Sequence, residues 1–479
     1  VLRRESTLRL LWSTGLLVAG VTVAAITVGV PLAWLVTRTD LKLRRVWAVA
    51  AALPLVIPSY VAALCLLGAF GTRGLLQELL GVERLPGIYG YWGALVALTL
   101  ATYPYVFLLT AAALRGLDPS LEEASRSLGR SPAATFLRVT LPALRPAIGA
   151  GGLLVALYTL SDFGVVSLMQ YDALTRAIFL QYRALFDRTP AAVLALVLVA
   201  LTVAVLVLEA RTRAGGRLYR STPGAARRAP TVALGHWQAP ALAFCALTVG
   251  LFLVVPALVL GTWLARGLAR GDAALAWDAV LGSVSASGLA AGAAVAAALP
   301  VAWLARRQPA RWSAALERAS FAANALPGIV IALSLVFFAA RYVPAVYQTL
   351  GLLVCAYVVR FFPQGLAGVG AALDRVPPRL EEAARSLGRT RTGALRTVTV
   401  PLVRPGLAAG AALVFLSAMK ELPATLLLRP IGFETLATEI WGLTSVGAYS
   451  RAALPALALI AVSAPLLFVA SRDRTPGVE

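Results

Sequence analysis

The amino-acid sequence predicts an all-α polytopic membrane protein built as two parallel repeats of about five to six transmembrane helices each. Three observations predict it. Apolar stretches near 20 residues recur along the whole chain, each long enough to cross about 30 Å of hydrocarbon. Hydrophobic residues make up 59% of the 479 and charged residues only 14%, against roughly 25% charged in an ordinary soluble domain. A charged motif also occurs twice, 259 residues apart: LEEASRSLGR at 121–130 and LEEAARSLGR at 380–389, alike at nine of ten positions. A large soluble α/β core would need short strands broken by polar turns, which this pattern does not offer.

Eleven spans follow in order. The first half has 12–36, ended by the basic segment 38–45; 48–69, ended by the loop 71–90; 91–114, running to the first motif; 143–165, restarted by Pro142; and 190–210. The second has 240–265, 283–305 ended by the basic segment 306–311, 319–340, 347–372 running to the second motif, 402–426 restarted by Pro401, and 452–471. Residues 211–239 are rich in Arg, Gly and Pro and read as a polar cytoplasmic linker. The domains are therefore a first repeat at 1–210, the linker at 211–239 and a second repeat at 240–479.

The repeat extends beyond the motif. Pro31, Ala33, Trp34, Leu35 and Pro58 match Pro300, Ala302, Trp303, Leu304 and Pro327 at an offset of 269. Pro119, Pro146, Gly151 and Asp162 match Pro378, Pro405, Gly410 and Glu421 at 259. About ten extra residues therefore sit in the first half, most simply in the 71–90 loop. Such repeats suit a pseudo-twofold pore between two bundles.

Net charge is +21. Its placement explains it: with both motifs in the cytoplasm, the basic segments at 38–45, 211–228 and 306–311 fall on that side too, as the positive-inside rule expects. No aromatics interleave with them to stack bases, so no nucleic-acid partner is expected. Arg3, Arg4 and Arg9 fall outside in this scheme, and span 240–265 has no counterpart in the first half. An additional upstream helix would resolve both. No cleavable signal is evident.

Cys65, Cys245 and Cys355 lie in apolar runs, with a number and spacing that give neither a disulfide framework nor a thiolate metal site. Buried small hydrophobes are the expected reading. The sole histidine, His236, has no ligand-like neighbour. No metal site is expected.

The motif is a short helix by construction. Asp118 caps it, Pro119 suits its first turn, and Glu122 and Glu123 meet the positive end of its dipole. Leu121, Ala124 and Leu128 form an apolar stripe, Gly129 ends the helix, and Pro142 starts the next span. Glu381, Glu382, Leu380, Ala383, Leu387, Gly388 and Pro401 repeat the pattern. A charged surface helix duplicated with its membrane half implies a partner that grips both halves.

These residues resemble the permease subunit of a binding-protein-dependent ABC importer. That family's loop reads Glu-Ala-Ala, three residues, Gly, nine residues, an aliphatic, one residue, an aliphatic and Pro. Glu123, Ala124, Ser125, Gly129, Val139, Leu141 and Pro142 match it, with Ser in place of the second Ala; so do Glu382, Ala383, Ala384, Gly388, Val398, Val400 and Pro401. The resemblance implies the MetI-like permease fold and an ATPase-coupling role for Glu122, Glu123, Ala124, Gly129 and Pro142, and for Glu381, Glu382, Ala383, Gly388 and Pro401. It also implies two copies of an ABC ATPase subunit, an extracytoplasmic solute-binding protein and the bacterial inner membrane. The fused double form is similar to the iron(III) and thiamine branches, and segments 161–189 and 420–444 are similar to the iron(III) type.

No Gly-rich phosphate loop ending in Lys and Ser or Thr is present, and no nucleophile with its base. The chain is expected to be no enzyme and to bind no cofactor; ATP and Mg2+ belong to the partner ATPase. Charges in or near the bilayer, about 2.5–3.5 kcal/mol each on insertion scales, mark a candidate translocation path: Asp162, Tyr171, Arg360, Lys420 and Glu421. Arg360 is expected to face the bundle interior and be paired. These groups are too scattered for a preformed metal site. The expected function is import of ferric iron; thiamine or another small solute stays open, as do a secondary transporter and a membrane scaffold.

Overall fold

A computed structural model describes residues 5–71, 74–82, 87–184, 188–213, 231–272, 274–307, 311–322 and 326–472. The chain divides into two compact units, Val1–Thr262 and Trp263–Glu479. Among the described residues there is no strand, only an isolated parallel bridge between Thr39 and Val232.

In the first unit the main helices are α1 (Glu5–Arg38), α2 (Ser59–Phe70), α3 (Tyr91–Gly116), the short α4 (Pro119–Ser127), α5 (Leu141–Ser161), α6 (Leu174–Ala184), α7 (Thr189–Arg213) and α8 (Gln238–Val249). Helix α9 (Val255–Arg270) runs into the second unit. There follow α10 (Trp277–Arg307), α11 (Gly328–Tyr342), α12 (Leu350–Asp374), the short α13 (Pro378–Ser386), α14 (Val400–Met419), α15 (Pro423–Leu428), α16 (Leu436–Ser445) and α17 (Tyr449–Arg472). Among the described residues nine helices are long and apolar enough to cross a membrane. Two shorter apolar helices, Gly328–Tyr342 and Tyr449–Ala464, stand where spans 319–340 and 452–471 are expected. The linker expected at 211–239 lies mostly outside the described residues.

Three expected continuous helices are broken, each for a local reason. Span 48–69 is split into Arg44–Ala50, a 3-10 turn at Leu53–Val56 and α2. Ile57 is extended before Pro58 (φ −80°, ψ 122°), because a residue preceding proline is pushed out of the helical region. Span 143–165 ends at Ser161: Asp162 turns extended, and its Oδ1 accepts the Val165 N–H at 2.8 Å, a side-chain bond that replaces the helical one. Span 402–426 stops at Met419 and restarts at Pro423, with Glu421 Oε1 accepting the Ala424 N–H at 3.2 Å.

Each unit is built on a helix trio. Helices α1, α3 and α5 pack mutually in the first, and α10, α12 and α14 in the second. Glycines permit the closest approaches. A Cβ at Gly151 would lie 2.8 Å from Val106 Cα, and one at Gly368 would lie 2.6 Å from Gly410 Cα. In lipid, packing without side chains substitutes for the missing hydrophobic drive between helices. Gly368→Val is therefore expected to overpack the α12–α14 crossing and cost about 1–3 kcal/mol, read as a lowered unfolding midpoint in detergent. An unchanged midpoint would mean the crossing opens freely.

Cys65 and Cys245 are buried, but Cys355 is exposed, contrary to the expectation for all three. Cys355 lies on the side of α12 away from Leu353, Ala356 and Tyr357, which are buried.

Candidate functional site: two anchored surface helices and a buried charged junction

Asp118 caps α4, accepting the Ser120 N–H at 3.0 Å, and Pro119 occupies its first turn. The helix is amphipathic in an unusual sense. Its inward face is Pro119, Glu122 and Ser125. Its apolar stripe points out: Leu121 is 49% exposed and Leu128 78%, and Glu123 and Ala124 are exposed as well. Gly129 reverses the chain at φ +80°, a conformation that costs other residues. A single π-helical turn, Phe136–Thr140, then leads into α5, with Pro142 in its first turn.

Glu122 is the anchor. Its Oε1 accepts from Thr140 Oγ1 at 3.0 Å and lies 3.5 Å from Arg38 Nη2. Arg38 is the last residue of α1, and the same Nη2 donates to Leu114 O at 3.0 Å. One buried carboxylate thus ties α4 to the ends of α1 and α3 and to the start of α5. Ser125 and Thr135 add a hydroxyl pair at 3.1 Å.

The second unit repeats the device. Arg307, last residue of α10, donates from Nε to Glu381 Oε1 at 3.0 Å and from Nη2 to Val376 O at 2.7 Å. Thr399 Oγ1 donates to the same Glu381 oxygen at 2.9 Å, from the end of the π turn Leu395–Thr399. Gly388 has φ +86°. Leu380 is 43% exposed, Leu387 is 85% exposed, and Glu382 and Ala383 face out. Pro401 opens α14.

The two acids of each motif therefore do different things. Glu122 and Glu381 face their own bundles, whereas Glu123 and Glu382 face outward. Sequence reasoning missed the partners Arg38, Arg307, Thr140 and Thr399. A signal was available, because Arg38 and Arg307 stand at the 269 offset and Thr140 and Thr399 at the 259 offset. A buried carboxylate keeps its charge only with such partners.

The residues marked as a candidate path fall at three places. Asp162 accepts from Ser59 Oγ at 2.6 Å and from the Val165 N–H at 2.8 Å, while its carbonyl accepts from Thr175 Oγ1 at 2.7 Å. Tyr171 stands apart, donating to Ser13 O at 2.8 Å beside Tyr91, and burial pushes its phenol pKa up. In the second unit Arg360 and Glu421 meet: Arg360 Nε is 3.2 Å from Glu421 Oε2. Glu421 O accepts from Thr425 Oγ1 at 2.5 Å, and that hydroxyl is 2.6 Å from Tyr357 Oη. Lys420 is half-buried at the C-terminal end of α14, where a cation meets the negative end of the helix dipole. Among the described residues no group of three or more His, Cys, Asp or Glu side chains is placed to hold a metal ion.

Two similar helical bundles, each bearing a leucine-studded surface helix tied to three of its own spans, define a duplicated polytopic membrane protein. The profile described as "Binding-protein-dependent transport system inner membrane component" matches residues 25–212 and 294–472, and the chain belongs to that family. It is a multi-pass protein of the inner membrane and a permease subunit of the ABC transporter class.

The chain is 35% identical over 474 residues to the Fe(3+)-transport system permease protein FbpB 2 of Haemophilus influenzae, covering 98% of this chain and 90% of that one. It is 25% identical over 431 residues to the putative ferric transport system permease protein FbpB 1 of the same organism, covering 84% and 67%. Over 192 residues it is 32% identical to the molybdenum transport system permease protein ModB of Mycobacterium tuberculosis, covering 40% and 73%.

Proposed function

We propose that this chain is the conduit of a ferric iron importer. An extracytoplasmic binding protein delivers iron(III) as the transported substrate, and two copies of an ATPase subunit grip α4 and α13 from the cytoplasm. ATP and Mg2+ act on those partners, and this chain binds no cofactor of its own. The observation that carries the reading is the outward apolar face of the two motif helices, beside the 35% identity to a ferric permease over nearly the whole chain. A contiguous exposed apolar stripe on a surface helix marks an interaction surface. The inward carboxylate clasps make each helix a rigid lever, so force applied at Leu121 and Leu128 reaches α1, α3 and α5 together.

The test is capture and transport. Glu123→Arg combined with Glu382→Arg reverses two exposed charges without touching the clasps. The double variant is expected to insert normally and to lose most co-purifying ATPase subunit, with ATP-dependent radio-iron uptake into proteoliposomes falling in parallel. Full capture and full uptake would overturn the coupling role. Uptake driven by an ion gradient with no ATPase present would make the chain a secondary transporter instead.

A further inference from the structure

Between α10 and α11 the second unit carries one more helix, Arg311–Ala322, which packs against α10 and α12. Its residues sort onto opposite faces. Ser313, Glu317 and Ser320 stand at i, i+4 and i+7 and turn toward the bundle, Ser313 buried and the other two partly so. Trp312, Ala315, Leu316 and Ala319 stand at i, i+3, i+4 and i+7 and turn out; Trp312 is 55% exposed and Leu316 40%. That spacing is the apolar stripe of an amphipathic helix, yet here the polar face is the one the protein holds.

An arginine bracket sets this orientation. Arg306, near the end of α10, donates from Nη1 to Glu317 Oε1 at 3.1 Å and from Nε to Asp374 Oδ1, the last residue of α12, at 2.9 Å. Gly370 leaves it room: a Cβ there would lie 2.5 Å from Arg306 Nη2. Rolling the stripe inward would break the Glu317 pair. The first unit has no such bracket, because Thr37, Ala48 and Arg115 stand at the positions matching Arg306, Glu317 and Asp374, at offsets of 269, 269 and 259, and supply no carboxylate. Three residues separate Arg307 from Arg311, and five separate Ala322 from Gly328. Such tethers reach at most about 14 Å and 22 Å. Both ends of the helix are thus held close to the ends of α10 and α11, on the side of the membrane where Arg307 anchors α13.

We propose that Arg311–Ala322 is an interfacial membrane anchor, lying along the bilayer with Trp312, Ala315, Leu316 and Ala319 in the boundary between headgroups and acyl chains on the motif side. The occupant of the stripe is lipid. Twelve residues make a helix about 18 Å long, too short to cross about 30 Å of hydrocarbon. Short tethers to two membrane helices keep it at the level where hydrocarbon gives way to water, and tryptophan favours that boundary. A stripe so placed is covered by the same lipid that covers its neighbours, with no partner protein needed. The inference goes beyond the permease reading: it concerns lipid alone and requires neither the ATPase nor iron.

Spin labelling tests it. Leu316→Cys and, separately, Ala315→Cys are labelled with a nitroxide in a Cys355→Ser background, since Cys355 is exposed while Cys65 and Cys245 are buried. Leu387→Cys on α13, where the native side chain is 85% exposed, is the water-facing reference. The full chain is placed in nanodiscs of phosphatidylcholine and phosphatidylglycerol, and collisions of each label with oxygen and with a water-soluble nickel chelate are measured by power saturation. Labels at 315 and 316 are expected to favour oxygen and to report a depth of about 5–10 Å into the headgroup and acyl boundary, whereas the label at 387 favours nickel. Nickel access at 315 and 316 equal to that at 387 overturns the proposal, because the stripe then faces water. Shielding from oxygen and nickel alike also overturns it, because protein then covers the stripe. Adding the purified ATPase subunit should leave the depth unchanged; nickel access that disappears only on that addition assigns the stripe to the ATPase instead. Should Leu316→Cys not fold, Ala315→Cys carries the test, since it adds one sulfur at an exposed position. Failure of wild type to capture the ATPase would sink the permease reading and leave the depth result standing.

Discussion

Glu122→Ala is expected to destabilise the first unit by about 3–5 kcal/mol, because it removes one partner of a buried ion pair and strands the other. Arg38 is only 4% exposed. With Glu122 gone, its guanidinium retains the Leu114 carbonyl and nothing to balance its charge; its Nε already lacks a partner. Thr140 loses its acceptor as well. The midpoint of chemical unfolding in detergent measures the loss, and Glu381→Ala should reproduce it through Arg307 and Thr399. Exchanging both partners of one clasp, Arg38→Met with Glu122→Leu, is expected to recover most of the stability, since apolar substitutes often equal a buried pair. Coupling should not recover with it, because the directed tie from α4 to Thr140 is gone. A double variant with normal ATP-dependent uptake would reduce the clasp to packing.

Leu128→Asp together with Leu387→Asp should nearly abolish capture of the ATPase subunit while leaving the chain's own stability intact. The two side chains are 78% and 85% exposed, so little of the permease's own packing involves them. Apolar anchors at the centre of an interface are worth about 2 kcal/mol or more each. With one ATPase subunit on each helix, association at each site weakens roughly 30-fold, and a pair that engages both helices together loses the sum, roughly 10³-fold. Binding of the purified ATPase subunit to permease in nanodiscs gives the number. Tight binding by the double variant would move the docking surface off these helices.

The architecture was largely legible because its signals are coarse. Apolar length marks the spans, and the paired prolines and glycines at fixed offsets expose the duplication. The helix breaks were not legible. At Ser161–Asp162 and Lys420–Glu421 the polar interruption is only two residues long, so hydropathy runs through, while the acid side chain captures a backbone N–H three residues on. The surface helix was readable from Asp118 to Gly129, since capping and positive-φ chemistry are local. Which way its stripe pointed was not, because inward and outward were decided by Arg38, 84 positions from Glu122 in the sequence. Arg360 could be singled out by its depth in an apolar run, but which acid pairs with it appears only in the structure, where Glu421 lies against it from 61 positions on.

Each clasp closes wholly inside its own half: Arg38 with Glu122 and Thr140, Arg307 with Glu381 and Thr399. A lineage that doubled such a half would receive a second finished lever in the same event, with no waiting period in which one arm was rigid and the other slack. The ancestral gene needed to solve the problem of stiffness once, leaving the two copies free to differ elsewhere, as they do at the matched positions Asp162 and Glu421.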